Sequence, residues 1–110
     1  MSYQPKILDA AEQDINNIEE YLAQYSRNAV RRFFDHMKER IRSLRTMPFS
    51  CPEYELDPFF RRMVLGDYVL FYSVDEKDKL VIVHRIFHYT RNVARYMQEY
   101  HTTLRSSFRA

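Results

Sequence analysis

The spacing of apolar residues in the first half of the chain predicts two amphipathic helices. A first stripe recurs at intervals of three and four residues and contains Ile15, Ile18, Leu22 and Tyr25. A second stripe has the same period and contains Val30, Phe33, Phe34, Met37, Ile41 and Leu44. Asp9 and Ser26 precede the stripes as expected N-caps, and Met47-Pro48 ends the second helix because proline disfavours helical backbone at the residue before it. The short link predicts an antiparallel helical hairpin.

Four further segments predict β-strands, and they are Tyr3–Leu8, Arg61–Leu65, Tyr68–Val74 and Leu80–His88. Pro5 places the first strand at a sheet edge, because proline has no N–H to donate. Gly66 supplies the positive φ that a tight turn between the second and third strands requires. The last three strands follow one another through short turns and therefore pair antiparallel. Asn92 is the expected N-cap of a final helix.

This order of elements predicts an α+β fold. An N-terminal strand is followed by an antiparallel helical hairpin that packs on a small, mainly antiparallel sheet, and a C-terminal helix ends the domain. The 110 residues suit a single domain over positions 1–110. A hydrophobic content of 45%, with nine Tyr and eight Phe, favours a packed core over disorder.

Composition excludes several classes of protein. Cys51 is the sole cysteine, so the chain forms no intramolecular disulfide and has no paired-cysteine metal or redox motif. The sequence has neither an apolar run of membrane-spanning length nor a basic-then-apolar signal at its N-terminus. We therefore expect a soluble cytoplasmic protein without a metal or cofactor.

Charge is distributed in blocks along the chain. Residues 27–45 carry seven basic residues and two acids, for a net charge of +5. Residues 80–110 carry five basic residues and one acid, for +4, whereas residues 1–26 sum to −4 and residues 46–79 to −3. The second helix and the C-terminal part are thus either solvated basic faces or binding surfaces for an acidic partner or a phosphate backbone.

The last strand carries two histidines. Strict alternation predicts that His84 and His88 share one face with Ile82 and Ile86, and that Arg85 lies on the other face. No third metal ligand is visible near the histidines, so we expect a hydrogen-bonded structural role for His84. An arginine placed like Arg85 either pairs with an acid at the sheet rim or extends its side chain past the helices so that its charge reaches water.

Four motifs, in order along the chain, resemble the RelE/ParE superfamily of bacterial toxins. Phe60–Val74 is similar to the family hairpin, in which an Arg pair precedes a Gly-containing turn and a Tyr-x-Leu-Phe-Tyr-x-Val strand. Arg85–His88 is similar to the closing strand, Asp9–Ile15 to the opening of the first helix, and Thr46–Pro48 to the end of the second. The resemblance covers about residues 3–95.

The resemblance implies one of two activities. RelE-like members cleave mRNA on the ribosome and need cations to stabilise the transition state, whereas ParE-like members are implicated in poisoning DNA gyrase. Many RelE-like members have an Arg inside the second hairpin strand, where this chain has Val69. This difference favours a ParE-like, plasmid-stabilisation type of toxin that inhibits gyrase by protein–protein contact. Its expected target-binding residues are Arg85, Arg91 and Arg95.

The alternative is a metal-independent, ribosome-dependent mRNA endonuclease. His88-Tyr89 resembles the His-Tyr pair of YoeB-like nucleases, which can act as an acid–base pair. The expected catalytic residues are then His88, Tyr89, Arg61 and Arg62, with Arg91 as a further source of charge. A third reading is a degenerate member that only binds an antitoxin. All three imply a cognate antitoxin whose acidic segment covers basic surfaces in a toxin–antitoxin hetero-oligomer, with no cofactor and no membrane.

Overall fold

The computed structural model, which describes residues 2–107, contains the helices and strands in the predicted order. Their bounds are β1 (Gln4–Ile7), α1 (Asp9–Ala23), α2 (Arg27–Ser43), β2 (Arg61–Leu65), β3 (Tyr68–Asp75), β4 (Leu80–His88) and α3 (Val93–Ser107). The strands form one sheet in the order β1-β4-β3-β2. The α+β fold and the mainly antiparallel sheet are confirmed.

The sheet is mixed because β1 reaches it by a different route from the other strands. β2, β3 and β4 form an antiparallel meander, whereas β1 pairs parallel with β4 at the edge that Pro5 predicts. The turn between β2 and β3 contains Gly66 at φ +59°, a left-handed conformation that glycine adopts without strain, so the prediction for this turn is confirmed. Lys79 takes φ 55° in the turn between β3 and β4, where Asp75 accepts a hydrogen bond from the Asp78 amide.

The two faces of the sheet carry different helices. The helical hairpin of α1 and α2 covers one face through a core that includes Ala11, Ile15, Ile18, Met37, Ile41, Leu44, Met63, Leu65, Leu70, Tyr72, Val81, Val83 and Ile86. α3 and the segment before β2 cover the other face through Tyr54, Phe60, Phe71, Phe87 and Met97. The domain therefore has three layers, and β3 and β4 are buried in its middle.

A β-bulge in β4 changes which side chains share a face. Phe71 pairs with Arg85, but Tyr72 pairs with Val83, so His84 is the extra residue. Because one additional residue reverses the alternation beyond it, Val83 and Ile86 lie in the same core although their numbers differ in parity. The prediction that His84 and His88 share a face is therefore wrong.

Two of the three predicted helix N-caps are confirmed. Ser26 caps α2 by accepting a hydrogen bond from the Ala29 amide at 2.9 Å, and Asn92 accepts one from the Arg95 amide at 3.3 Å. The prediction for Asp9 is wrong, since it is the first residue of α1 and Leu8 is the N-cap. The Leu8 amide bonds to the Val83 carbonyl at 3.1 Å, so the sheet extends directly to the start of the helix.

Candidate functional site

An open cleft of about 370 Å³ lies where α1 passes the C-terminal end of β4. We call it the α1–β4 cleft, and its lining consists of Asp14, Asn17, Ile18, Tyr21, Tyr68, Ile86, Phe87, His88, Thr90 and Arg91. It brings together apolar side chains, aromatic side chains and a few polar groups, which is the usual composition of a binding site.

Asp14 fixes the edge of the cleft. Its carboxylate accepts hydrogen bonds from Arg85 Nε at 2.7 Å and Arg85 Nη2 at 3.0 Å. The same carboxylate accepts the Ile86 amide at 3.0 Å. β1 pairs only as far as Val83, so the Ile86 amide has no strand partner on that side, and Asp14 takes the place of one.

Arg85 is therefore engaged on the inside of the domain rather than free on its surface. Its guanidinium also lies over the rings of Phe87 and Tyr100, at 4.5 and 5.8 Å from their centroids. The pairing with an acid at the sheet rim is the first of the two roles considered from the sequence.

His88 stands at the end of β4 with its ring held by the next turn. The Thr90 amide donates to Nδ1 at 3.2 Å, which places the proton of the neutral ring on Nε2. Tyr68 meets the ring edge-on at 5.3 Å, and Tyr89 stacks on it at 4.9 Å. Tyr89 is 62% exposed, so the His-Tyr pair is open to a ligand.

Arg91 lies at the mouth of the cleft. It is exposed, and its guanidinium sits 4.8 Å from the centroid of the Tyr96 ring. A hydrogen bond with Arg91 and the positive charge of this arginine lower the pKa of the Tyr96 phenol. Within residues 2–107, no carboxylate pairs with Arg91, whereas Arg95 is bound to Glu99 at 3.1 Å. Of the three arginines expected to bind a target, Arg85 and Arg95 are paired with carboxylates, and Arg91 is not paired with one in the described residues.

The arginine pair of β2 does not share the cleft with His88. Arg61 and Arg62 pair with Tyr72 and Phe71, whereas His88 pairs with Tyr68. The two arginines thus lie four and three positions further along β3, which corresponds to roughly 13 and 10 Å at the usual strand rise.

The side chain of Arg61 has a structural environment. Its Nη1 donates to the Cys51 carbonyl at 2.7 Å and to the Phe49 carbonyl at 3.4 Å. Its guanidinium lies 5.0 Å from the centroid of the Phe49 ring. Arg62 is exposed and is outside the α1–β4 cleft. The structure therefore brings together His88, Tyr89 and Arg91 and leaves the arginine pair apart.

A second polar cluster lies on the α3 side of the sheet. Ser73 Oγ is 2.8 Å from His84 Nε2, and Tyr100 Oη is 2.7 Å from His84 Nδ1. Burial, with a smaller contribution from the charge of His101, lowers the pKa of His84 to about 4. The expected hydrogen-bonded structural role of His84 is confirmed, although its face was not.

Sequence reasoning missed the contact that joins α3 to the segment before β2. His101 Nδ1 meets the Asp57 carboxylate, and the His101 ring stacks on Phe59 at 5.1 Å between centroids. Asp57 and His101 line a second cleft of about 490 Å³ together with Tyr54, Met97 and Arg105. Asp57 precedes its partner by 44 residues, and nothing in local spacing signals such a pair.

The described residues contain no group of three His, Cys, Asp or Glu side chains arranged to hold a metal ion. Over the same part of the chain, no helix combines the length and apolar character needed to cross a membrane.

Three solved structures resemble this fold. The ParDE toxin–antitoxin system of P. aeruginosa superimposes with a TM-score of 0.64 at 16% identity, covering 78% of this chain and 95% of that chain. The RelBE2 toxin–antitoxin complex of Mycobacterium tuberculosis gives 0.53 at 20% identity, covering 80% and 99%. The archaeal RelE–RelB complex of Pyrococcus horikoshii OT3 gives 0.51 at 22% identity, covering 83% and 99%.

Comparison at the level of sequence identifies one protein family. Comparison with curated proteins finds no match. The family profile of the ParE toxin of the type II toxin–antitoxin system parDE matches residues 6–93, which is most of the chain. This match runs from the second half of β1 through β4 to the first residue of α3. The chain therefore belongs to the ParE toxin family, within the RelE/ParE superfamily of type II toxin–antitoxin toxins.

Proposed function

We propose that this toxin inhibits DNA gyrase by protein–protein contact, acts in the cytoplasm and is neutralised by a cognate antitoxin. The observation that carries the proposal is the separation of the β2 arginines from His88. RNA cleavage needs cations beside the reacting phosphate and a group that moves a proton, and both must be held in one site. Here Arg61 donates to two backbone carbonyls, several residues along the sheet from His88.

Val69 supports the same conclusion. It is half-buried, pairs with Val64 and Phe87, and packs against the α3-side core. A valine in this position offers no charge to a phosphate, so position 69 adds no cation to a nuclease site. Recognition of a protein surface requires only shape, apolar area and a few polar groups, all of which the α1–β4 cleft has.

The proposed antitoxin follows from family membership and from the charge pattern. The similar structures from P. aeruginosa, M. tuberculosis and P. horikoshii are toxin–antitoxin systems or complexes. The net charge of +5 on residues 27–45 and of +4 on residues 80–110 suits an acidic segment that folds on binding. We expect the isolated toxin to gain thermal stability when its antitoxin is added.

The test is a plasmid supercoiling assay with purified gyrase and toxin, with and without antitoxin. The proposal expects loss of supercoiling and accumulation of cleaved DNA, both reversed by antitoxin. Any loss of inhibition in His88→Ala should be a loss of affinity that a higher toxin concentration overcomes, because His88 lines the α1–β4 cleft but has no chemical step to perform. No inhibition at a large molar excess would contradict the proposal.

A ribosome-dependent endonuclease is the second candidate, and one observation favours it. His88 has its Nε2 free of the Thr90 contact, Tyr89 stacks beside it, and Arg91 lies in the same cleft. In this candidate Arg91 supplies the positive charge that the β2 arginines do not. Cleavage of mRNA on purified ribosomes, abolished in both His88→Ala and Tyr89→Phe variants that remain folded, would establish it.

A further inference from the structure

We propose that the α1–β4 cleft is the surface that holds the protein target, by taking up one apolar side chain that lies next to a carboxylate in the target. This rests on the proposed function, in which the target is gyrase. The inference identifies the docking surface on this toxin and the chemistry of the segment that fits it.

The shape of the cleft suits an apolar anchor. Ile18, Ile86 and Phe87 are its apolar lining residues, and Tyr68 and Tyr21 are its aromatic lining residues with hydroxyl groups. Tyr68 is buried, whereas Tyr21 is 51% exposed although it is a large aromatic residue. A buried anchor side chain surrounded by tyrosine is the arrangement that carries most of the binding energy in protein interfaces.

Exposed aromatic surface continues around the mouth of the cleft. Tyr89 is 62% exposed and lies against His88, which is part of the lining. Large aromatic side chains lose unfavourable contact with water when a partner covers them, while their hydroxyl groups still find hydrogen bonds at the rim. The exposed tyrosines therefore add to the area that a protein segment would bury.

The charges of the cleft favour a protein segment over a nucleic acid strand as its ligand. The lining contains one cation, Arg91, and one carboxylate, Asp14. Glu20 lies one helical turn beyond Asn17 on the exposed side of α1, and Asp67 precedes Tyr68. A nucleic acid strand would bring several phosphates to a lining that offers one cation. A single carboxylate beside an apolar side chain meets only Arg91.

Arg91 is also the arginine that is available to such a carboxylate. Arg85 gives two of its donors to Asp14, and Arg95 is bound to Glu99. Arg91 contacts the Tyr96 ring, which leaves its charge without a carboxylate partner in the described part of the chain. A guanidinium that stacks on an aromatic ring still presents donors at its edge, so it can bind a carboxylate in two-pronged geometry.

The experiment measures gyrase inhibition by Tyr21→Ser and Arg91→Gln. Each variant should require about tenfold more toxin for half-inhibition, a loss usual for a central interface residue. Met47→Ser and Arg42→Gln are the controls, because Met47 is a large apolar residue that is 62% exposed, Arg42 is an exposed arginine of α2, and neither residue lines the cleft. Equal melting temperatures for all four variants would show that the fold is kept.

Three outcomes would overturn the inference. In the first, the two cleft variants inhibit gyrase as well as the wild type does. In the second, the controls lose as much activity as the cleft variants. In the third, a single-stranded RNA oligonucleotide binds the toxin in a manner that depends on Tyr21 and Arg91, which would identify the cleft as an RNA site.

Failure of the proposed function is distinguishable from failure of the inference. If the wild-type toxin has no effect on gyrase, the proposed function is contradicted, and growth arrest on expression replaces supercoiling as the readout. Loss of arrest in Tyr21→Ser and Arg91→Gln, but not in Met47→Ser and Arg42→Gln, would support the cleft as the docking surface of another protein target. Unchanged arrest in the cleft variants would overturn it.

Discussion

Asp14 binds Arg85 with both carboxylate oxygens, at 2.7 and 3.0 Å, and thereby joins α1 to β4 across 71 positions of sequence. One of the same oxygens accepts the Ile86 amide. The pair is largely buried, with 11% of the Asp14 side chain and 23% of the Arg85 side chain exposed. Asp14 lines the α1–β4 cleft, so the pair adds a polar link beside it to the apolar contacts that hold α1 on the sheet.

Removal of this carboxylate should destabilise the fold. In Asp14→Ala, Arg85 keeps a partly buried charge without its partner and the Ile86 amide loses its acceptor, so we expect the free energy of unfolding to fall by about 2–3 kcal/mol. Asp14→Asn keeps an acceptor for the amide and should lose less. Urea denaturation of both variants measures the difference. Equal stability of Asp14→Ala and wild type would mean that the pair contributes nothing.

His84 should make stability depend on pH. Burial lowers the pKa of His84 to about 4, against 6.5 for an exposed histidine. Between these values the unfolded chain takes up a proton that the folded chain does not, so stability is complete above pH 6.5 and is lost as the pH falls towards 4. The loss between pH 6.5 and pH 5 should be about 2 kcal/mol.

The control for this prediction is His84→Gln, which has no titratable ring. Although this variant is expected to be less stable at pH 7, its unfolding free energy should change less between pH 7 and pH 5 than that of the wild type. Chemical denaturation at several pH values gives both slopes. Parallel slopes would show that His84 is not the group that titrates.

The local pattern of residues predicted the helices and strands well. It predicted less about the site, because the site depends on contacts between residues that are far apart in the sequence. The bounds of β2 and β4, the caps at Ser26 and Asn92 and the turn at Gly66 all follow from spacing and residue type within a few positions. No residue type or spacing predicts the bulge at His84, because the bulge is a property of the pairing between β4 and β3.

The candidate site shows the same limit. His88, Tyr89 and Arg91 are close in sequence, so their proximity in the fold could be anticipated. Tyr21 and Asp14 reach the cleft from α1, which is far from His88 along the chain, and no pattern in the sequence predicts that contact. The β2 arginines matched a motif, but strand register rather than motif decides whether they approach His88.

Gly66 should tolerate asparagine better than alanine. Its φ of +59° is unfavourable for a residue with a side chain, but no atom lies within 4 Å of where a Cβ would be. The cost of Gly66→Ala is therefore backbone strain without a clash, and we expect a loss of about 1 kcal/mol. Gly66→Asn should lose less, because asparagine accepts left-handed backbone more readily. Thermal unfolding of both variants tests the ranking, which equal melting temperatures would contradict.

Substitutions of Arg61 and Arg62 test whether the β2 arginine pair is structural or catalytic, because only an endonuclease that used this pair would need both side chains for activity. Arg61 is half-buried and donates to the Cys51 and Phe49 carbonyls, whereas Arg62 is exposed. We expect Arg61→Ala to lower the free energy of unfolding by about 1–2 kcal/mol and Arg62→Ala to change it little. If the toxin works by protein contact outside this region, Arg62→Ala should inhibit gyrase and arrest growth as the wild type does. In an endonuclease that uses the arginine pair, Arg62→Ala would instead lose toxicity while its melting temperature stays unchanged, and growth curves measured beside thermal denaturation of the same variant distinguish these results.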